Sequence, residues 1–161
     1  MRSRMRRLVN APSLFFVTTS TLDHRPLFND PSLRDRLQEL LFSLIHTHAN
    51  ALMGYSIMPS HVHLLVGCKQ GGVQLSKFMQ AFKSLSSRRL FPGRGTVWAA
   101  RFDDRLMKEE NQFLSRLNYV HQNPVRSGLV RKPEEWSWSS ARFWMSDDPH
   151  SVLTKGWAWM E

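Results

Sequence analysis

The first half of the chain alternates between short β-type runs and one long helical pattern. Residues 14–21, LFFVTTST, are rich in β-branched and aromatic side chains and predict a strand. Asp30 is a suitable N-cap, Pro31 suits the first turn of a helix, and the leucines that follow recur at helical spacing. Residues 51–58 predict a second strand and residues 61–67 a third, joined by a short turn.

The second half is predicted to contain two helices with one strand between them. A helix is predicted from about residue 74 to 91, after the break at Gly71 and Gly72. Residues 97–107 predict the fourth strand with its lead-in, and residues 109–123 a third helix that Pro124 stops. The order β-α-β-β-α-β predicts an α+β fold, a ferredoxin-like, RRM-type antiparallel sheet with an added C-terminal helix. This fold is shared by many activities.

The length and composition indicate a single domain. The chain has 161 residues and 42% hydrophobic residues, enough for a buried core. We expect one domain over residues 1–161, with a core at about 14–141, a basic N-terminal arm at 1–10 and a Trp-rich tail at 142–161. No apolar run reaches the length of a membrane span, and no signal peptide is recognised. The single cysteine, Cys68, excludes a disulfide framework and a Cys-rich zinc site and favours a reducing cytosol.

The positive charge is concentrated in one segment. The net charge is +9, and residues 60–132 contain thirteen Lys or Arg against four Asp or Glu, so this segment carries the whole excess. Such a concentration favours an anionic partner, most often nucleic acid, and the alternative is a solubilising surface.

The third strand contains a histidine pair, His61 and His63. Strand side chains alternate between faces, so both histidines share one face, with Cα atoms about 6.6 Å apart, and they can converge on one ion. The pair His46 and His48 has the same spacing near the end of a helix, where such residues do not face each other. Spacing alone is a weak signal, and two ordinary strand histidines are the alternative. A metal site would also need a third ligand.

The last predicted helix carries a polar face. Gln112, Arg116, Tyr119 and Asn123 lie within about 60° of one another on this helix. Tyr119 and Asn123 are neighbours at i and i+4 and can point at the same place. A tyrosine can act as a covalent nucleophile, but a phenol is weak at neutral pH and needs help such as a divalent ion. The alternative is a solvated helix face. Tyr55 and His121 are interpreted as structural.

Three motifs in this order resemble a known family. The runs MPSHVHLLV, VWAARFDDRLMKEEN and RLNYVHQNPVRSGLV, the last followed by PEEWSWSSA, resemble the single-tyrosine HUH transposases, which are IS200-like. Within that family the chain is similar to the branch of REP-associated tyrosine transposases. The resemblance runs from about Leu14 to Ala141. The chain departs from the family pattern at Ser60, where asparagine is common, and at Asp103, where an aromatic residue or histidine is common.

The resemblance implies a site and a reaction. It implies a divalent cation, Mg²⁺ or Mn²⁺, held by His61 and His63 on a central strand, with Asn123 as the third ligand. It implies Tyr119 as the nucleophile that attacks a phosphodiester of single-stranded DNA, leaving a 5′-phosphotyrosine and a free 3′-hydroxyl, and strand transfer reverses this step. Relatives recognise short imperfect DNA hairpins, and hairpin DNA is therefore the expected partner, with the protein at the bacterial nucleoid in the cytoplasm. Some relatives act as homodimers, so a homodimer is possible.

The basic residues and tryptophans supply candidate DNA contacts. The candidates for phosphate contacts are Lys77, Lys83, Arg88, Arg101, Arg105, Arg116, Arg126 and Arg131. The arginines of the N-terminal arm, Arg2, Arg4, Arg6 and Arg7, either add contacts or form a flexible tail. Trp136 and Trp138 are expected to pack on the core. Two alternatives remain beside the transposase: a hairpin-binding protein that does not cut, and a hydrolase that uses metal-activated water.

Overall fold

A computed structural model of the chain describes residues 11–150 and 152–155. The arginines of the predicted N-terminal arm and the end of the tail, with Trp157 and Trp159, lie outside the described residues. The strands are β1 (Ser13–Ser20), β2 (Ala51–Ile57), β3 (His61–Cys68) and β4 (Asp103–Met107). The helices are α1 (Pro31–His48), α2 (Gly71–Leu90), α3 (Glu110–Arg126) and the short α4 (Ala141–Met145). Within the described ranges, no helix combines the length and the apolar character needed to cross a membrane.

The four strands form one antiparallel sheet in the order β2-β3-β1-β4. The two inner strands, β3 and β1, pair along their full length, from Ser13 opposite Cys68 to Ser20 opposite His61. The α+β ferredoxin-like class predicted from the order of the elements is therefore confirmed, and His61 and His63 lie on an inner strand.

The sheet has two faces that differ in what covers them. On the α1–α2 face, β3 contributes Val62, Leu64 and Val66 to the main hydrophobic core, where they are fully buried beneath α1 and α2. On the opposite face, called here the α3 face, Leu65 packs in a second cluster with Leu117 of α3. His61 and His63 alternate with the valines along β3 and therefore belong to the α3 face.

Helix boundaries follow local chemistry with two differences from the predictions. Asp30 caps α1, as predicted, because its Oδ1 accepts a 2.9 Å hydrogen bond from the Ser32 N–H. Helix α2 begins at Gly71, earlier than predicted, and Gly71 itself has a φ of 65°, a left-handed conformation that glycine adopts without strain.

The prediction that Pro124 stops the last helix is wrong, since α3 continues to Arg126. A proline removes only its own N–H, and both Asn123 and Pro124 are buried, so packing against the sheet keeps the chain helical. The carbonyl oxygens of Asn123 and Pro124 then accept hydrogen bonds from Ser127 and Leu129.

The segment before β4 packs against α2 and meets the sheet only through an isolated bridge between Trp98 and Thr21, just beyond the end of β1. Its Trp98 is 3% exposed and donates a hydrogen bond from Nε1 to Ser86 Oγ at 2.8 Å. Lys83 Nζ donates to the carbonyl oxygen of Ala99 at 2.7 Å. The predicted fourth strand is consequently shorter than the run of residues 97–107, and Asp103–Met107 alone forms a continuous ladder with β1.

The segment after α3 is fastened to the edge of β2. Trp136 Nε1 donates to the Ile57 carbonyl oxygen at 3.0 Å, and the Ile57 N–H donates to the Trp138 carbonyl oxygen at 2.8 Å. The guanidinium carbon of Arg34 lies 4.0 Å from the ring centroid of Trp138 and 4.8 Å from that of Trp136. The predicted packing of both tryptophans is confirmed.

Candidate active site

The two histidines of β3 face each other on the α3 face of the sheet. Their ring centroids are 4.8 Å apart and the ring planes are 73° apart. Strand alternation alone accounts for this proximity, because residues i and i+2 project from the same face. The other pair, His46 and His48, lies in the last turn of α1 and is exposed.

His63 is held at one nitrogen and unpaired at the other. Its Nδ1 lies 2.9 Å from Thr18 Oγ1 on the neighbouring strand. Its Nε2 is buried and has no hydrogen-bond partner among the described residues. Burial, assisted by the nearby charge of His61, lowers the pKa of His63 to about 3, so the ring is neutral at pH 7. If Nδ1–H donates to Thr18, Nε2 presents a lone pair toward the site.

His61 is linked directly to the last long helix. Its Nε2 lies 3.0 Å from Asn123 Oδ1, and its Nδ1 lies 3.3 Å from Ser60 Oγ. Burial lowers the pKa of His61, the hydrogen bond to Asn123 partly opposes this shift, and repulsion from the charge of His24 adds to it. Both imidazoles are thus biased toward the neutral form, which is the form that binds metals.

Tyr119 lies beside His63. The ring centroids of these two residues are 5.4 Å apart, and Phe16 contacts both rings, stacked on His63 at 5.6 Å and edge-on to Tyr119 at 6.2 Å. Tyr119 is partly exposed, and its hydroxyl makes no hydrogen bond to a described residue. The Arg126 guanidinium carbon lies 5.2 Å from the centroid of the Tyr119 ring. The Tyr119 hydroxyl therefore has no hydrogen bond to a described residue to give up, and its ring lies beside a positively charged side chain.

The residues present fit a divalent cation. No group of three His, Cys, Asp or Glu side chains suited to a metal occurs in the described part of the chain. Asn123 supplies a carboxamide oxygen next to His61, and it is 9% exposed. The unpaired Nε2 of His63 is the kind of buried polar atom that needs a partner. Two neutral imidazoles and one amide oxygen form a donor set suited to Mn²⁺ and tolerable for Mg²⁺.

The predicted phosphate contacts are divided between two surfaces. On the α3 face, Arg105 and Arg116 line a cleft of about 580 Å³ between β4 and α3. Arg116 also covers the Phe16 ring, with its guanidinium carbon 5.3 Å from the centroid, so this cleft adjoins Tyr119 through Phe16. Arg126 lies on the same side, next to Tyr119.

The remaining basic residues lie away from Tyr119. Lys83 and Arg101 line a groove of about 580 Å³ between α2 and the segment before β4. Lys77 and Arg88 line a shallower hollow of about 420 Å³ beside α2. Arg131 is exposed beyond α3. Gln112 belongs to the N-terminal capping box of α3 and does not join the site.

Two residues of the site, Thr18 and Phe16, were not predicted from the sequence. Thr18 holds the ring of His63, and Phe16 contacts both His63 and Tyr119. Strand alternation in β1 puts them on one face, but only the pairing of β1 with β3 shows that this face is the one with the histidines. His61, His63, Tyr119 and Asn123, by contrast, are brought together as a group.

Comparison with known protein families and sequences gives a consistent set of matches. A family model described as "Transposase IS200 like" matches residues 15–122. The chain is 20% identical over 120 residues to a REP-associated tyrosine transposase of Escherichia coli K12, covering 68% of this chain and 72% of that protein. It is 23% identical over 96 residues to a Haemophilus influenzae protein named provisionally for the same group, covering 52% of this chain and 54% of that protein. The match thus spans about half the length of the Haemophilus protein.

Comparison with solved structures supports the fold. A structure of a REP-associated tyrosine transposase bound to a REP hairpin aligns with a TM-score of 0.71 at 18% identity, covering 91% of this chain and 90% of that chain. The structure of a Deinococcus radiodurans R1 protein named provisionally as a transposase aligns with a TM-score of 0.50 at 22% identity, covering 69% of this chain and 90% of that chain. At these identities the likeness shows a shared fold.

Proposed function

The chain belongs to the IS200-like transposase family, and from this premise we propose that it cleaves and rejoins single-stranded DNA through a covalent bond to Tyr119. The observation that carries this proposal is the meeting of four side chains from two separate elements. His61 and His63 come from β3, whereas Tyr119 and Asn123 come from α3. A nucleophile beside two neutral imidazoles and an amide oxygen is a constellation suited to metal-assisted phosphodiester chemistry.

We assign each side chain a role from its contacts. His61, His63 and Asn123 would hold a divalent cation, Mg²⁺ or Mn²⁺, which would polarise the scissile phosphate and favour the attack of a weak nucleophile. Thr18 holds the ring of His63 through a hydrogen bond to Nδ1. In other metal sites, similar hydrogen-bond partners orient the histidines that bind the metal. Arg126, beside the Tyr119 ring, is placed to contact a phosphate bound in front of that tyrosine.

The proposed covalent step exchanges one ester bond for another. Tyr119 Oη forms a bond to phosphorus while the bond from phosphorus to the 3′-oxygen breaks. The phenol proton passes to solvent, and the departing 3′-oxygen takes up a proton to become a hydroxyl. The DNA 5′-phosphate remains on Tyr119. Attack by a 3′-hydroxyl on this phosphotyrosine reverses the exchange and rejoins the strand, so no external energy source is needed.

A single chain contains the whole proposed constellation. Asn123 hydrogen-bonds His61 of the same chain, and Tyr119 lies beside His63 of the same chain. We therefore propose action in cis; exchange of α3 between the subunits of a homodimer would re-form the same two contacts between chains. A homodimer remains an alternative assembly.

Hairpin DNA is the proposed partner. The structural relative named above was determined in complex with a REP hairpin, and this chain carries a net charge of +9. Arg105 and Arg116 would contact phosphates of the single strand near Tyr119. The basic residues farther from Tyr119 would contact other phosphates of the hairpin DNA: Lys77, Arg88, Arg101 and Arg131. Lys83 already donates to the Ala99 carbonyl oxygen, so a contact from it would compete with that bond.

A trapping assay tests this proposal. Protein is incubated with end-labelled single-stranded DNA containing a hairpin, with Mn²⁺, Mg²⁺ or a chelator, and then resolved on a denaturing gel. We expect a protease-sensitive DNA adduct that needs both metal and Tyr119. Tyr119→Phe should abolish the adduct and preserve hairpin binding, because it removes one hydroxyl that makes no hydrogen bond to the described residues.

Tyr55 provides the matched control for Tyr119. It is the other of the two tyrosines, it is 3% exposed, and its hydroxyl donates to Gln38 Oε1 at 2.7 Å. Tyr55→Phe removes the same atom and should retain the adduct. Cleaved DNA without an adduct would indicate the hydrolase that uses water. Binding without cleavage across several hairpins would indicate the non-cutting binder.

A further inference from the structure

Helix α3, which carries Tyr119 and Asn123, makes a further polar contact on its opposite flank through His121. At about 100° per residue, His121 lies about 160° around α3 from both Tyr119 and Asn123. Its ring therefore points away from His61 and His63 and toward the segment fastened along β2. A polar residue at this position is not used by the proposed chemistry, and its contacts require a separate explanation.

His121 is tied to the sheet through Ser140. His121 Nε2 lies 2.8 Å from Ser140 Oγ. Ser140 Oγ also accepts the Tyr55 N–H at 3.0 Å, and the Ser140 N–H donates to the Tyr55 carbonyl oxygen at 3.0 Å. Ser140 is 1% exposed, so this junction is shielded from water. The flank of α3 opposite Tyr119 is thus hydrogen-bonded to the backbone of β2 through one side chain.

The underside of α3 rests on a glycine next to this junction. A Cβ atom placed on Gly54 of β2 would lie 2.7 Å from Leu117 Cδ1 and 3.5 Å from Ser140 Oγ. The register between β2 and β3 also shifts between Leu52 and Gly54. Gly54 therefore permits a close approach of α3 to the sheet, and this approach brings His121 within reach of Ser140.

We propose that His121, through Ser140, is a positioning residue that sets the rotation of α3 about its own axis. Hydrogen bonds on both flanks fix this rotation, from His121 to Ser140 on one side and from Asn123 to His61 on the other. The apolar contacts beneath the helix set how closely it approaches the sheet, and the two hydrogen bonds add the directional contacts that select one rotation. The inference rests on the proposed function for its catalytic consequence, and its structural consequence stands without it.

The test compares three variants of the full chain. His121→Ala removes the hydrogen bond, and His121→Gln keeps a side-chain group that can reach Ser140. Val125→Ala is the matched control, because Val125 is half-buried one turn farther along the same flank and makes no side-chain hydrogen bond. The first readout is the imidazole NMR spectrum of His61 and His63 without metal. The second is the rate of adduct formation at saturating hairpin DNA and Mn²⁺, with hairpin affinity measured alongside.

The proposal expects changes at the site, on the far side of the helix from the substitution. His121→Ala should shift the ring resonances of His61 and His63 and slow adduct formation about 10-fold or more, because a rotated α3 carries Tyr119 and Asn123 out of position. Hairpin affinity should stay within about twofold, Val125→Ala should leave both readouts near wild type, and His121→Gln should recover most of the rate.

Two results would overturn it: unshifted histidine resonances in His121→Ala, or equal losses in Val125→Ala and His121→Ala. If wild-type protein forms no adduct, the proposed function fails, and the NMR comparison still decides the positioning role.

Discussion

The two faces of the sheet are built from the same strands but differ in the residues that they bury. On the α1–α2 face, Leu64 and Phe82 are fully buried among apolar neighbours. On the α3 face, the side chains that alternate with the core residues of β1 and β3 include Thr18, His61 and His63. One face is a packed core, and the other combines a small core with a polar cluster under a helix.

This difference indicates how the fold would support the proposed active site. Apolar burial on the α1–α2 face stabilises the chain without directional requirements, so it can hold the strands rigid. The α3 face then tolerates neutral histidines and an unpaired nitrogen, each of which costs stability. Stability and chemistry should therefore respond separately to substitutions on the two faces.

The largest expected effect is a loss of stability on the α1–α2 face. Phe82 is 0% exposed and its ring lies 5.7 Å from that of Trp98. Phe82→Ala should lower the free energy of unfolding by about 3–5 kcal/mol, because it leaves a cavity in a packed core. His63→Ala should cost about 1–2 kcal/mol, since removal of the unpaired Nε2 offsets part of the lost hydrogen bond and ring contacts, yet it should abolish adduct formation. Urea unfolding in chelator, beside the trapping assay, measures both, and similar stability losses would contradict the division between the faces.

The next effect is a pH dependence that arises on the α3 face. Burial lowers the folded pKa of His63 to about 3 and of His121 to about 4, whereas an unfolded histidine titrates near 6.5. The unfolded chain therefore takes up protons that the folded chain refuses. The contribution of these groups is complete above pH 6.5 and is lost as the pH falls toward 3. Each group should lower the free energy of unfolding by about 1.4 kcal/mol per pH unit within that window.

Urea unfolding of metal-free protein between pH 7.5 and 5 measures this slope. His63→Gln removes one of the two groups, so its stability should fall less steeply with decreasing pH than that of the wild type. A variant slope as steep as the wild-type slope would show that His63 is protonated, or solvated, in the folded chain.

The comparison of the faces also shows which features of the fold and the site can be predicted from the sequence. The alternation along β3 correctly assigned His61 and His63 to one face and Val62 to the other, because the two-residue period of a strand is a local property. The contact of Thr18 with His63 could not be predicted, because it depends on which strands pair. The continuation of α3 past Pro124 was missed for a similar reason, since burial of Asn123 and Pro124 outweighs a local preference. The proximity of Tyr119 and His63 is a finding of the structure, and their roles remain proposals.

The smallest expected effect comes from the second histidine pair. His46 and His48 share the spacing of His61 and His63, but both are exposed in the last turn of α1. The double variant His46→Ala, His48→Ala should change the free energy of unfolding at pH 8 by no more than about 0.5 kcal/mol, because it removes no buried contact. Any change should be toward greater stability, since alanine favours a helix more than histidine does. Mn²⁺ titration of this variant, beside His61→Ala as the contrasting variant, asks whether spacing or strand geometry makes a histidine pair bind. Loss of Mn²⁺ affinity in the double variant would show that the helix-end pair takes part, and that strand geometry is not what distinguishes the two.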